Sequence, residues 1–168
     1  KCMLLSRQPL VNQIVYIDAQ DGSLLQEVSQ ICAIDVPGTA VTHFSGVQPI
    51  MASEGINGFM LRESGRGNGI ETYRNGTQQL YFDTDNYWEN NNGTMDQFAG
   101  DVHFGAETTY DFFQDHFGRN SYDNNGGLIR SYVNDAGVGV NAYWSGGSDN
   151  TMHYGSGNGT YFPVASLE

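Results

Sequence analysis

The chain has 168 residues, 39% of them hydrophobic and 12% aromatic, with 22 glycines. That is a globular composition, long enough for one ordinary domain with an appendage and for a core that needs no disulfide scaffold. A net charge of -12, from 7 basic and 19 acidic residues, repels phosphate backbones and anionic bilayers, which excludes nucleic-acid and membrane-surface binding as leading functions.

No apolar run reaches membrane-spanning length. The first residues, KCMLLSRQ, lack the long apolar region of a signal peptide. The chain reads as a piece of a longer precursor, and Leu167-Glu168 is either native or an expression-vector scar. Cys2 and Cys32 either pair in an oxidising compartment or are two unrelated thiols, because their spacing does not decide.

Apolar alternation on both sides of Asp21-Gly22, in VNQIVYIDAQDGSLLQEVSQI, predicts a β-hairpin whose two turn residues take positive φ. AIDVPGTA, with Pro37 and Gly38, predicts a linker, and a boundary is expected between Ala33 and Thr39. It divides the chain into residues 1–35 and 36–168. From Val41 to Trp88 short strands alternate with glycines. Asn75-Gly76 predicts a second hairpin turn, with Ile70 and Thr72 before it and Leu80 and Phe82 after it. ENNNGTMDQ is too polar to be anything but a loop. Phe98, Val102, Ala106, Tyr110, Phe113 and Phe117 recur at three- and four-residue steps. They predict one helix from about Met95 to Phe117, stopped by Gly118. GLIRSYVN, VNAYW and NTMHYG predict short strands joined by Gly, Asn and Asp turns. The expected fold class is α+β: a twisted, mostly antiparallel β-rich region with one long helix packed on it, preceded by the hairpin.

The chemistry in these elements is sparse. The histidines, His43, His103, His116 and His153, show no metal-ligand pairing, and no His-Glu-x-x-His, Gly-x-Ser-x-Gly or Cys-x-x-Cys occurs. His103, Glu107 and Asp111 share a helix face at i, i+4 and i+8. A zinc site there is conceivable, but the expectation is an exposed polar stripe opposite the apolar face. Asp83 and Asp85 offer two carboxylates that can grip Ca²⁺ or hydrogen-bond their own turn. The Asn-Gly-Thr sequons at Asn75, Asn92 and Asn158 are also turn sequences, and turn chemistry is the expected reason for them. Asn141-Ala142-Tyr143-Trp144 alternates as a strand should. It is either an ordinary core strand or an exposed sheet edge to which an extended peptide can add.

Five stretches carry a resemblance. DVHFGAETTYDFFQDHFGRNSYD resembles the first long helix, and the loop after it, of thermolysin-family zinc metalloendopeptidases. VNAYW and GSGNGTYFPVASLE resemble that family's Asn-Ala-aromatic-Trp edge strand and its Phe-Tyr-Pro-Leu-x-Ser-Leu-Asp run, and RGNGIETY resembles an early strand of the mature enzyme. The hairpin IVYIDAQDGSLLQEVSQI looks like the tail of the family's propeptide.

The resemblance implies residues 1–35 as propeptide tail and 36–168 as the N-terminal β-rich part of the catalytic domain. It implies a secreted parent that hydrolyses internal peptide bonds with zinc. The family's His-Glu-x-x-His, which supplies two zinc ligands and the general base, would follow a few residues after Leu167, so this piece by itself is expected to be inactive. The partners implied are a protein or peptide substrate, the chain's own propeptide and the C-terminal catalytic half. By position, Asn141 matches the amide that holds substrate backbone. Ala142 matches the residue that pairs with the peptide, and Trp144 continues that edge. Tyr161 matches an aromatic bordering a substrate pocket. Asp83 and Asp85 match a calcium-binding Asp-x-Asp found in some members, although Tyr87 stands where the family has Gln. Glu168 falls on a calcium-binding Asp. The Gly-Asp-Gly turn has become GSGNG, one residue longer and without the acid. A second reading stands beside this one: a non-catalytic, acidic, calcium-stabilised secreted β module that binds peptides.

Overall fold

The computed structural model describes residues 2–7, 10–29, 34–55, 57–74, 79–89 and 96–163. The Asn75-Gly76 turn, the Asn92 sequon, Cys32 and Glu168 lie outside these residues, and so does the question of a Cys2–Cys32 pair.

In chain order the strands are β1 (Cys2–Arg7), β2 (Leu10–Ile17), β3 (Leu24–Ser29), β4 (Ile34–Val41), β5 (Val47–Glu54), β6 (Phe59–Met60) and β7 (Arg62–Glu63). They continue with β8 (Ile70–Arg74), β9 (Phe82–Asp83) and β10 (Tyr87–Trp88). Helix α1 (Asp96–Phe117) follows, then β11 (Ile129–Asp135), β12 (Ala142–Ser145) and β13 (Thr151–Gly155). Three sheets result, in the orders β1-β2-β3, β10-β4-β5-β6-β9 and β12-β13-β11-β8-β7. The pairs β4/β10, β8/β11 and β11/β13 are parallel and the others antiparallel, so the fold is the expected α+β architecture with one helix.

The first hairpin is present, with a different turn. Its loop is closed by Asp18 N–H to Ser23 O and by Gly22 N–H to Asp18 O. Gly22 takes φ 78°, while Asp21 is not in the positive-φ region. The Asp18 and Asp21 carboxylates accept the Gln20 and Ser23 N–H groups, so side-chain turns replace a two-residue turn.

The expected linker over 33–39 is a strand from Ile34 onward, paired with β5 along its whole length. Pro37 fits for a geometric reason. Its partner Met51 turns both backbone polar groups away from β4: Met51 N–H goes to Glu107 Oε1 at 2.9 Å and Met51 O faces His103 Nε2 at 3.0 Å. Pro37 therefore stands in a non-hydrogen-bonded pair, where a missing N–H costs the ladder nothing. Gly38 fits because Asn86 lies over it, and a Cβ there would come within 2.2 Å of Asn86 Oδ1.

Helix α1 lies across both five-stranded sheets. Phe98, Ala99 and Val102 enter a core with Ala40, Ile50, Ala52, Leu61, Tyr81, Trp88 and Val133. The expected apolar face leaves that core at its C-terminal half, where Phe113 and Phe117 are exposed and pack with Phe112 and His116 in a surface ring cluster. The expected exposed stripe His103, Glu107 and Asp111 is reversed at its first two residues, with relative exposures of 0% and 4%, while Asp111 is half-exposed. Helical spacing put these residues on one face, but their reach to an open strand edge decides that this face is inside.

His103 bridges Met51 O and the Thr72 hydroxyl, the latter through Nδ1 at 2.8 Å. Burial lowers it from 6.5 to about 4, so it is neutral at pH 7. Burial raises Glu107 from 4.5 to about 7, against the Met51 N–H and Arg66 and with help from Glu63 and Asp111. A carboxyl raised in the folded state stabilises fully below its unfolded value and loses that stabilisation as pH climbs through about 7. His103 acts oppositely, costing stability as pH falls below 6.5 toward about 4. Glu107→Gln keeps an oxygen for the Met51 N–H and removes the carboxyl titration together with the ion pair to Arg66. Its unfolding free energy relative to the parent sequence should rise by on the order of 2 kcal/mol between pH 4.5 and 8, read by urea unfolding. A pH-independent difference would mean that Glu107 does not titrate with folding.

Candidate peptide-docking edge

Among the described residues, the sheet order β12-β13-β11-β8-β7 makes β12 an edge strand, hydrogen-bonded to β13 on one side only. Its short pairing runs from Ala142 opposite Tyr154 to Ser145 opposite Thr151. An edge of this kind presents unpaired N–H and C=O groups that an extended chain can pair with.

A glycine sets the entry into the strand. Gly155 N–H donates to Asn141 O at 2.9 Å, and Gly157 N–H donates to Gly139 O at 3.0 Å. The 139–141 segment therefore runs tightly over β13. A Cβ on residue 155 would meet Gly139 O at 1.9 Å and Asn141 O at 2.9 Å.

The sequence-derived residues divide as follows. Asn141 is exposed, immediately before β12. Ala142 and Trp144 sit on β12 with alternate spacing and so share a face of the sheet. The Trp144 ring lies 5.0 Å from that of Tyr122 and lines a cavity of about 350 Å³ between the sheet and α1, together with Ala106, Phe113, Met152 and Tyr154. Tyr161 is exposed on a separate turn, where Asn158 Oδ1 accepts the Thr160 and Tyr161 N–H groups. Turn chemistry thus accounts for the Asn158 sequon.

Asp83 ends β9 and Asp85 follows in the turn. Asp83 Oδ1 accepts the Asp85 N–H at 2.8 Å, and Asp85 Oδ1 accepts the Tyr87 N–H at 3.0 Å. Asn86 takes φ 61°, donates through Nδ2 to Pro37 O and accepts from Trp88 Nε1. These bonds tie the turn to β4 and leave the two carboxylates as local caps. Among the described residues no group of three His, Cys, Asp or Glu side chains converges to hold a metal ion.

The most concentrated titratable cluster was missed as a unit by sequence reasoning. Arg66 forms a two-point pair with Asp111, Nε–Oδ1 2.7 Å and Nη2–Oδ2 2.8 Å. Its Nη1 faces Glu107 at 3.3 Å and Glu63 at 3.9 Å. Glu63 is buried, its Oε1 without a hydrogen-bond partner and its carboxyl raised by burial. This cluster sits behind the β7–β8 turn and holds α1 against the sheets. Only the i, i+4, i+8 spacing on α1 pointed to it in the sequence.

Residues 37–168 match the thermolysin metallopeptidase catalytic domain. The chain belongs to the thermolysin family. Its thermolysin-family relatives include a bacillolysin of Brevibacillus brevis, 34% identical over 88% of this chain and 27% of that protein. A thermostable neutral protease of Geobacillus stearothermophilus is 31% identical over 92% of this chain and 30% of its own length. A transglutaminase-activating metalloprotease of Streptomyces mobaraensis is 31% identical over 92% of this chain and 20% of its own. The chain spans about three-tenths or less of these curated thermolysin-family relatives.

Gly155→Ala should push the 139–141 segment off β13 and destabilise the protein by about 1–3 kcal/mol. A lowered thermal midpoint checks this; an unchanged one would mean that the segment moves aside at no cost.

Proposed function

We propose that this chain is the propeptide tail, residues 1–35, and the N-terminal β-rich part, residues 36–168, of a secreted zinc metalloendopeptidase that cleaves internal peptide bonds. The observation that carries the reading is the open edge of β12 within a thermolysin-family segment. A substrate strand lies antiparallel on that edge. The backbone of Ala142 pairs with it, the Asn141 amide supplies a donor and an acceptor beyond the ladder, and Trp144 bounds the far end. Tyr161 borders a side-chain pocket on the neighbouring turn. These residues bind and orient a peptide. The described residues offer no donor set for zinc, and no chemical step is assigned to them. The metal-binding and proton-transferring groups belong to other parts of a longer parent, and the chain alone is inactive. Calcium at the Asp83–Asp85 turn would need donors from water, backbone or residues such as Glu168.

The full-length parent, purified, should contain zinc and cleave an unfolded protein substrate at internal bonds. Trp144→Ala should lower kcat/KM by about 5- to 30-fold while zinc content holds, the effect of losing one aromatic anchor. Unchanged kinetics would remove the docking role. A parent that holds no zinc and cleaves nothing would leave the peptide-binding module.

A further inference from the structure

The face of the sheet opposite Ala142 and Trp144 carries a row of rings. Tyr73, Tyr132, His153 and Tyr143 stand in cross-strand register on β8, β11, β13 and β12. Centroid distances are 5.2 Å for Tyr73–Tyr132, 5.0 Å for Tyr132–His153 and 4.8 Å for His153–Tyr143, the last pair within 3° of parallel. Tyr143, placed between two docking residues, is thus backed by the His153 imidazole.

A bulge brings a carboxylate to that imidazole. Asn134 takes φ 59°, and the β11/β13 register shifts between Tyr132 and Asp135. The extra residue turns Asp135 to the ring-bearing face, where Oδ2 lies 3.0 Å from His153 Nδ1. On the other side, His153 Nε2 lies 3.0 Å from Thr151 Oγ1, which lies 3.0 Å from Asp149 Oδ2. Ser145 Oγ donates to the same Asp149 oxygen at 3.3 Å. Carboxylate, imidazole and hydroxyl in this order resemble a nucleophile array. Thr151 is only 1% exposed, however, and opposite Ser145 in the sheet, so no substrate carbonyl reaches it.

The row instead relays a hydrogen bond. The Thr151 hydroxyl has one proton and two acceptors. When His153 is neutral, Nδ1–H donates to Asp135 and Nε2 accepts from Thr151. When it is protonated, both nitrogens donate, and the Thr151 hydroxyl turns to Asp149. Asp149 belongs to the 146–149 turn that joins β12 to β13. The remaining groups facing this array are Tyr132 and Asp135 on β11 and Tyr143 on β12. Arg130 stands opposite Thr151, 3.9 Å from Glu71 on β8, which also accepts from Tyr73.

We propose that His153 is a positioning residue for the β12 edge: its protonation state decides whether the Thr151 hydroxyl serves the imidazole or locks the 146–149 turn through Asp149. The inference rests on β12 being the docking edge. Protonation tightens the turn and presents a firmer edge to an incoming strand.

The test uses the full-length parent across a pH series from about 5 to 8. Two quantities are read: amide-exchange protection of residues 146–149, corrected for intrinsic exchange, and KM for a peptide substrate. Protection should fall about 5- to 10-fold as pH rises, the worth of one hydrogen bond to a carboxylate, and KM should rise in step. Thr151→Val should flatten both profiles and Thr151→Ser restore them. Protection that ignores pH, or a pH dependence that survives Thr151→Val, would overturn the relay. Protection that follows pH while KM does not would overturn the positioning role. A parent that cleaves no peptide fails the docking reading in the activity assay, separately from the exchange readout.

Discussion

The open edge of β5 at Met51 is the constraint around which the two five-stranded sheets and the helix are arranged. β6 pairs with β5 only at Ser53 and Glu54, which leaves the Met51 N–H and C=O facing the interior without a strand partner. Leaving both unpaired would cost several kcal/mol. Glu107 and His103, one turn apart on α1, supply the acceptor for the Met51 N–H and the donor to the Met51 carbonyl in the places a neighbouring strand would occupy. This fixes the rotation of α1 about its axis and its height along the sheet. With the rotation fixed, Phe98, Ala99 and Val102 must enter the core, and Gly100 must meet Ala40, where an added Cβ would lie 3.0 Å from the Ala40 methyl.

The same contact fixes the electrostatics behind it. A buried carboxylate at Glu107 calls for a cation, and Arg66 reaches it from the β7–β8 turn while binding Asp111 through two parallel hydrogen bonds. The guanidinium is thereby held firmly protonated. It faces three carboxylates, which is more negative charge than one cation offsets, and burial drives Glu63 and Glu107 toward their protonated forms. The neutral state of His103 belongs to the same balance, because burial and the nearby Arg66 charge both disfavour a protonated imidazole.

Local signals gave the elements and failed where a long-range partner decided the outcome. The hairpin around Gly22, the helix ending at Phe117 and the strands at Ile129, Ala142 and Thr151 follow from alternation, helical spacing and turn residues. Pro37 and Gly38 look like a break in the chain until Met51 and Asn86 are placed beside them. The His103–Glu107 stripe looks solvated because polarity was judged without knowing that an unpaired strand edge lay within reach. Phe113 and Phe117 continue the helical spacing but stay exposed, Phe113 beside a cavity that the sheet does not fill. At the candidate site, Asn141, Ala142 and Trp144 were readable because they are contiguous. Asp135 and His153 were not, because strict alternation puts Asp135 on the wrong face and only the bulge at Asn134 reverses it. The signal that was available is the Thr-x-His spacing of Thr151 and His153, which keeps a hydroxyl and an imidazole on one face of a strand.

β12 is short, and its two faces answer to different parts of the molecule. Trp144 reaches inward to the cavity beside α1, whose position depends on Met51. Tyr143 reaches outward to His153, whose position depends on the bulge. With β13 as its only neighbour, the strand has no second ladder to hold its register, so these two anchors and the close approach at Gly155 supply the rigidity that a central strand gets from its flanks. A sheet edge cannot be stiffened from its open side. Bracing it through side chains on both faces is the solution left to it, and it ties the edge to two rings on other segments, Tyr122 and His153.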